Sequence, residues 1–236
     1  MRRYFLALLS LAVLISGCAK PRVIKLPPVT EGWHKSSAIR NAYVVQKLDT
    51  LYSIAWAFGV DYRDLANINN LHPPYILRSG QRLYITSPSK SIKQRMKSQI
   101  EFAQRTSPAK PLLGWLWPAS GKIASFFNTK LGGNKGVDIA GSLGVPILAC
   151  NHGTVVYGGE GIRSYGKLII IKHNDDYLSA YAYNQHILVA EGQKITTGQK
   201  IATMGKDNEG RATLHFEIRH FGKPVNPLLY LPKKPK

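Results

Sequence analysis

Apolar positions along this chain fall into four regimes. Residues 4–15 are nearly all apolar, in a run shorter than the roughly 20 residues a bilayer-spanning helix takes. Between 42 and 85, short apolar runs alternate with polar turns. Tyr43-Val44-Val45 reads as a strand, and Leu51, Ile54, Ala55 and Phe58 keep helical spacing behind Asp49 or Thr50, either of which can cap a helix. A second helix is predicted over about 62–69, and Leu83-Tyr84-Ile85 as a closing strand. Over 86–113, Ser, Pro, Lys and Gln dominate. There Ile92, Met96 and Ile100 recur every fourth residue, so 90–105 reads either as an amphipathic helix or as a solvated basic connector.

From 114 onward strand signals dominate. Val155-Val156-Tyr157, 168–172 and 178–183 are β-rich runs parted by Gly158-Gly159, Gly166 and Asn174-Asp175-Asp176 turns. Gly192-Gln193-Lys194-Ile195 and Gly198-Gln199-Lys200-Ile201 repeat one turn-and-strand unit. No segment there has helix-length periodicity, so a mostly antiparallel β-sandwich is expected. Along 213–219 the period of two puts Thr213, His215, Glu217 and Arg219 on one face, with Leu214, Phe216 and Ile218 toward a core. The same rule puts Tyr181 and Tyr183 on one face.

The N-terminal run changes the picture of where the protein works. Arg2 and Arg3 precede the apolar stretch, and Ile15-Ser16-Gly17-Cys18 closes it, the pattern of a signal segment with a bacterial lipobox. Cys18 is the expected lipid-attachment residue, so acyl chains rather than a helix would hold the protein to a membrane. Ala19, not Asp, follows the cysteine, which by the usual sorting pattern implies the outer membrane, facing the periplasm. The second cysteine, Cys150, lies in the apolar run 145–150 and is expected to be a buried free thiol. The formal charge of +19 falls to +17 once Arg2 and Arg3 leave with the signal. The charge is spread through the linker and the Lys233-Lys234-Pro235-Lys236 tail with no aromatic-basic strip, so it reads as general adhesion and not as nucleic-acid binding. The resulting division is 1–17 signal, 18–41 Pro-rich tether, 42–86 first domain, 87–113 basic linker, 114–232 second domain and 233–236 basic tail.

The second domain carries Trp117-Pro118, Phe126-Phe127, Asn134-Lys135-Gly136-Val137-Asp138, Tyr181-Ala182-Tyr183 and Thr213-Leu214-His215 in that order. This series resembles the lysostaphin-type, or LytM, zinc endopeptidases of bacterial cell wall, whose matching stretches read His-x-x-x-Asp, Tyr-x-His and His-x-His. Three of the five functional positions differ, as Asn134, Tyr183 and Thr213; Asp138 and His215 remain. A catalytic zinc takes about three protein ligands, and an Asn oxygen suits calcium or magnesium better than zinc. The loss of positioned histidines costs about 10²–10⁴ in rate each. The resemblance therefore implies a degenerate peptidase with no catalytic residues, no metal and no cofactor. Asn134, Asp138, Tyr183, Thr213 and His215 would line a vestigial groove able to bind a partner. His152, His173 and His186 lack metal-ligand spacing and are expected to be hydrogen-bonded turn or surface residues.

The first domain, with its strand-helix-helix-strand order and residues such as Asp49-Thr50-Leu51, Asn67, Asn69 and Gly80-Gln81-Arg82-Leu83, resembles a LysM module, a small α+β unit that binds N-acetylglucosamine-containing glycans. Leu48 stands where that family usually has Gly. The resemblance carries glycan contact to Asp49, Thr50, Leu51, Asn69, Leu71 and Ile76, although Asp49 and Thr50 also suit a helix N-cap and Leu51 suits a core. Lipobox, LysM module, basic linker and altered LytM domain together resemble the NlpD-like amidase-activator lipoproteins. That implies binding to peptidoglycan and activation of a periplasmic N-acetylmuramoyl-L-alanine amidase. An active wall endopeptidase, with Tyr183 as an electrophile, and a purely structural wall-to-membrane clamp are the two alternatives at this level.

Overall fold

The computed structural model describes residues 42–85, 114–130 and 132–233. The signal segment with Cys18, the tether, the linker with its 90–105 pattern and tail residues 234–236 lie outside the described residues.

The first domain is β1 (Ala42–Val44), α1 (Leu51–Phe58), α2 (Tyr62–Ile68) and β2 (Arg82–Tyr84), with β1 and β2 antiparallel and Tyr43 opposite Leu83. Thr50 is the N-cap of α1. Its hydroxyl accepts from the Ser53 N–H, and the Ser53 hydroxyl accepts from the Thr50 N–H, a capping box with Ser in the third position. Gly59 ends the helix in the left-handed conformation. Asp61 then caps α2 at the Arg63 N–H. Leu48 has φ +72, so the position where glycine is usual keeps its left-handed turn with a leucine in it.

The second domain is one antiparallel sheet folded on itself. Its strands are β3 (Lys122–Ser125), β4 (Val137–Ala140), β5 (Pro146–Leu148), β6 (Gly153–Gly159), β7 (Lys167–Lys172), β8 (Tyr177–Ile187), β9 (Lys194–Ile195), β10 (Lys200–Met204), β11 (Thr213–His220) and β12 (Lys223–Val225). The main layer runs β3-β4-β11-β8-β7-β6-β9. Eleven-residue β8 leaves this layer at its far end and pairs with β10, which carries β5. Ile139, Ile169, Ile171, Tyr181, Leu214 and Phe216 from the main layer meet Ile147, Ile201 and Met204 from β5 and β10 in the inner core. The mostly antiparallel β architecture expected from the alternation is the one observed.

The outer face of the main layer is where sequence and structure part. Leu168, Ile170, Leu178, Ala180 and Ala182 point there, and all are buried under Tyr43, Leu51, Ile54, Trp56 and Tyr62 of the first domain. Burial of one such Leu or Ile is worth roughly 1.5–3 kcal/mol over exposure. The two domains thus share a continuous apolar core. Gly222, at φ +71 in the β11–β12 turn, lies so close to the α1–α2 connection that a Cβ there would stand 2.7 Å from the Val60 carbonyl oxygen.

Candidate functional site

Strand register brings the surviving pair together. β4 and β11 are antiparallel neighbours with Asp138 directly opposite His215, both on the outer face. His215 Nδ1 lies 2.7 Å from Asp138 Oδ1, and its Nε2 lies 3.1 Å from Glu217 Oε1, two residues on along the same face. The side chains of His215 and Asp138 are 13% and 26% exposed, so the pair is largely enclosed but still reaches the surface at the position of the expected groove.

The other lining residues close around this pair. Asn134 donates from Nδ2 to Asp138 Oδ2 and to Ser125 Oγ, both at 3.0 Å, while its carbonyl oxygen accepts from the Gly136 N–H. Both Asp138 oxygens are therefore engaged, and the Asn134 acceptor is turned away from the groove. Gly136 has no room for a side chain, since a Cβ would meet the Phe216 carbonyl oxygen of β11. Thr213 is buried and donates to Asp207 Oδ2 at 3.4 Å. Asp207 also accepts from the Glu209 and Arg211 N–H groups, which ties down the 207–211 turn beside the groove.

Tyr183 reaches the site by a route that strict alternation misses. Tyr181 is fully buried in the inner core, where its hydroxyl donates to Cys150 Sγ at 2.9 Å. Tyr183, two residues later, has φ +63, and the β7–β8 register shifts between the pairs formed by Lys167 and Ile169. That irregularity turns Tyr183 to the outer face, with its ring centroid 6.2 Å from that of His215. The expectation that both tyrosines share a face is corrected by this local kink.

Behind the groove lies a charged cluster that the sequence reading did not assign. Glu217 is fully buried; its Oε1 also accepts from the Tyr165 hydroxyl at 2.7 Å and its Oε2 from Arg219 Nε at 3.0 Å. Arg219, 1% exposed, donates from Nη1 to the Trp56 carbonyl oxygen at 2.7 Å, and its guanidinium lies 3.5 Å above the Trp56 ring centroid. The alternation along 213–219 did put Glu217 and Arg219 on the groove face. What it could not supply was the cover: the first domain buries them.

Electrostatics follow from these partners. Burial opposes a charge on His215, but the hydrogen bonds and attraction of Asp138 and Glu217 outweigh it and raise the imidazole to about 9. Burial would raise Glu217, yet Arg219 and His215 pull it down to about 2. At neutral pH the site is an imidazolium donating to two carboxylates, with a guanidinium behind the second. Both His215 nitrogens carry hydrogens in that state.

Asp49 Oδ2 accepts from the Tyr43 hydroxyl at 2.8 Å and the Gln46 N–H at 2.7 Å. Thr50, besides capping α1, donates to the Val156 carbonyl oxygen of β6 at 3.2 Å. Leu51 is 1% exposed in the shared core. Asn69 clips the second helix to β2 through bonds with the Leu65 and Tyr84 carbonyls and the Tyr84 N–H. Leu71 is half-buried against the core, and Ile76 is exposed. Asp49, Thr50 and Leu51 thus lie in the β1–α1 loop and first turn, while Leu71 and Ile76 follow α2.

Of the remaining histidines, His152 and His186 are surface residues. His173 is more enclosed than expected: its nitrogens lie 2.6 Å from the His152 carbonyl oxygen and 2.7 Å from Ser179 Oγ, and its ring packs edge-on against Trp115. Cys150 is a buried free thiol.

Comparison with known proteins matches these two parts. Residues 43–86 match the LysM domain and residues 132–227 match Peptidase family M23. The chain is 40% identical to the lipoprotein NlpD/LppB homolog of Pseudomonas aeruginosa, over 91% of this chain and 82% of that one. It is 39% identical to the murein hydrolase activator NlpD of Escherichia coli K12, over 85% of this chain and 70% of the other. A third relative, the lipoprotein YgeR of the same strain, is 39% identical over 97% of this chain and 94% of its own. On this identity, carried across both domains, the chain, with its LysM domain and Peptidase family M23 domain, belongs to the NlpD/LppB family of lipoproteins.

Proposed function

We propose that the protein is an outer-membrane lipoprotein, anchored through Cys18, that binds peptidoglycan and activates a periplasmic N-acetylmuramoyl-L-alanine amidase for septal wall splitting and daughter-cell separation. The observation that carries this reading is the groove closed on itself by hydrogen bonds, in a chain whose relatives include one named a murein hydrolase activator.

The M23 fold calls for zinc, and the donors here do not fit it. Only Asp138 and His215 are strong donors, short of the three a catalytic zinc takes, and the third position holds the neutral Asn134 amide, whose oxygen accepts from the Gly136 N–H. Tyr183 and Thr213 offer no imidazole for activating water or for steadying an oxyanion. The groove is accordingly a binding surface and not a hydrolytic centre. Its accessible members, Asn134, Asp138, Tyr183 and His215, receive an element of the amidase that otherwise covers the amidase's own site, with Thr213 buried behind them, and binding favours the amidase's open state. The LysM module, with contacts among Asp49, Thr50, Asn69, Leu71 and Ile76, holds the protein on glycan and raises its local concentration at the wall; Leu51, expected as a contact, is enclosed in the shared core and supports the module instead.

The test is the double variant Asp138→Ala/Tyr183→Ala. Activation of an amidase should fall at least about tenfold, the loss of roughly 1.4 kcal/mol of contact, while pelleting with sacculi stays unchanged. Full activation by the variant would remove the groove as the contact surface. Zinc content of the purified chain well below one equivalent is the accompanying expectation.

A further inference from the structure

We infer that Trp56, although carried by the LysM module, is a positioning residue for the groove of the M23 domain. A continuous chain of polar contacts leads from one to the other. The Trp56 carbonyl oxygen accepts from Arg219 Nη1 at 2.7 Å, and its ring lies under the guanidinium. Arg219 Nε holds Glu217 Oε2 at 3.0 Å; Glu217 Oε1 holds Tyr165 and His215; His215 holds Asp138; and Asp138 holds Asn134. Every contact in this chain is within ordinary hydrogen-bond range. Its members are the groove floor at one end and helix α1 at the other.

The energetics make the link obligatory. Arg219 and Glu217 are 1% and 0% exposed, and part of that cover is the LysM module. Buried charges hold their geometry only while paired and hydrogen-bonded, and removal of one partner leaves the rest uncompensated. If the module lifted away, Arg219 would lose the Trp56 carbonyl and ring together and gain water. Glu217 would then be free to follow the guanidinium away from His215.

The docking is specific and not a loose apolar contact. Thr50 donates to the Val156 carbonyl, Arg63 to Asp176 Oδ1 at 3.1 Å, Tyr62 to Asp175 Oδ1 at 3.4 Å and Lys223 Nζ to the Gly59 carbonyl at 2.8 Å. These four bonds tie the module to β6, to the β7–β8 turn and to β12. By linkage, whatever tightens docking tightens the groove, and an occupant of the groove strengthens docking in return.

The inference depends on the activator reading for its consequence but not for its test. The chain would be prepared without its signal and with Cys18→Ser, as wild type, Trp56→Ala, Trp56→Phe and Asp175→Arg/Asp176→Arg. The last pair leaves the LysM module untouched and sets two cations against Arg63 and the Tyr62 hydroxyl. Amide hydrogen exchange then reads each strand separately. In Trp56→Ala and in the double-arginine variant, β4 and β11 should exchange about tenfold faster or more while β5 and β10 stay as in wild type. The backbone carbonyl is present in every variant, so Trp56→Phe, which keeps a ring under the guanidinium, should restore most of the protection. Unchanged β4 and β11 in the double-arginine variant, with exchange at Val156 and Tyr62 raised, would overturn the inference. So would a uniform rise across all strands. Amidase activation measured on the same variants separates the two readings. Faster exchange in the groove strands with undiminished activation would support the coupling and remove the groove from activation.

Discussion

Two histidines, one on β11 and one just past the end of β7, are driven in opposite directions, and their partners explain why. His215 lies between Asp138 and Glu217 and is raised to about 9 against the cost of burial. His173 lies among Ser179, the His152 carbonyl and the Cys150 thiol, 3.8 Å away, and burial lowers it to about 4. Both are enclosed, so enclosure does not decide the charge. A neighbouring carboxylate does, because it supplies the compensating charge that a hydroxyl or carbonyl dipole cannot. The first cluster is a charged network reaching toward a groove and another domain. The second is a neutral packing cluster beneath Trp115, and the same burial pushes the Cys150 thiol up to about 12.

The largest effect that would separate the clusters is the loss of Glu217. Glu217→Leu strands Arg219 and charged His215 in the interior, and urea denaturation should show a loss of about 3–5 kcal/mol. Ser179→Ala, the corresponding deletion beside His173, should cost only about 1 kcal/mol. Equal costs would erase the distinction between a charged and a neutral network.

Next comes the dependence on pH. A histidine raised above its unfolded value near 6.5 contributes stability that is fully present below 6.5 and lost as pH rises through about 9. Urea stability should therefore decline between pH 6.5 and 9, and His215→Gln should flatten that slope. For His173 the sign is reversed. Its folded value near 4 means that the unfolded chain binds the extra proton between 6.5 and 4, so stability is lost as pH falls through that window. His173→Phe should reduce the loss between 6.5 and about 4.5, the remainder coming from His220, which burial also lowers. A decline on the alkaline side that survives His215→Gln would contradict the assignment.

The smallest effect concerns Cys150. A thiol held up at about 12 is almost wholly un-ionised at pH 8. A maleimide or disulfide reagent should label the native protein at under about one-hundredth of the rate seen in urea, with no change in stability on Cys150→Ala beyond about 1–2 kcal/mol. Rapid labelling of the folded chain would make this a reactive cluster and not a packing one.

Much of this architecture was legible because local rules govern it. Asp49 or Thr50 had to cap α1, and the structure selects Thr50; alternation along β11 correctly set Leu214, Phe216 and Ile218 inward and His215 outward. The pair Asp138 and His215 could be named from residue types, yet their 2.7 Å contact comes from the β4–β11 register, which no local rule fixes. Tyr183 escaped simple alternation because a register shift and one left-handed residue turn it over. Glu217, Arg219 and Trp56 were out of reach for a different reason. The acid and base carry a polar signature suited to solvent, and only the docking of α1, separated from β11 by more than 150 residues, converts that face into an interior.

The most direct test of the activator account is release of dye from fluorescently labelled wall sacculi by this chain alone, by a periplasmic N-acetylmuramoyl-L-alanine amidase alone, and by the two together. The account predicts no release by the chain, little by the amidase, and strong release by the mixture. Release by the chain on its own would mean that a groove of Asn134, Asp138, Tyr183, Thr213 and His215 supports hydrolysis, and the account would be contradicted at its centre.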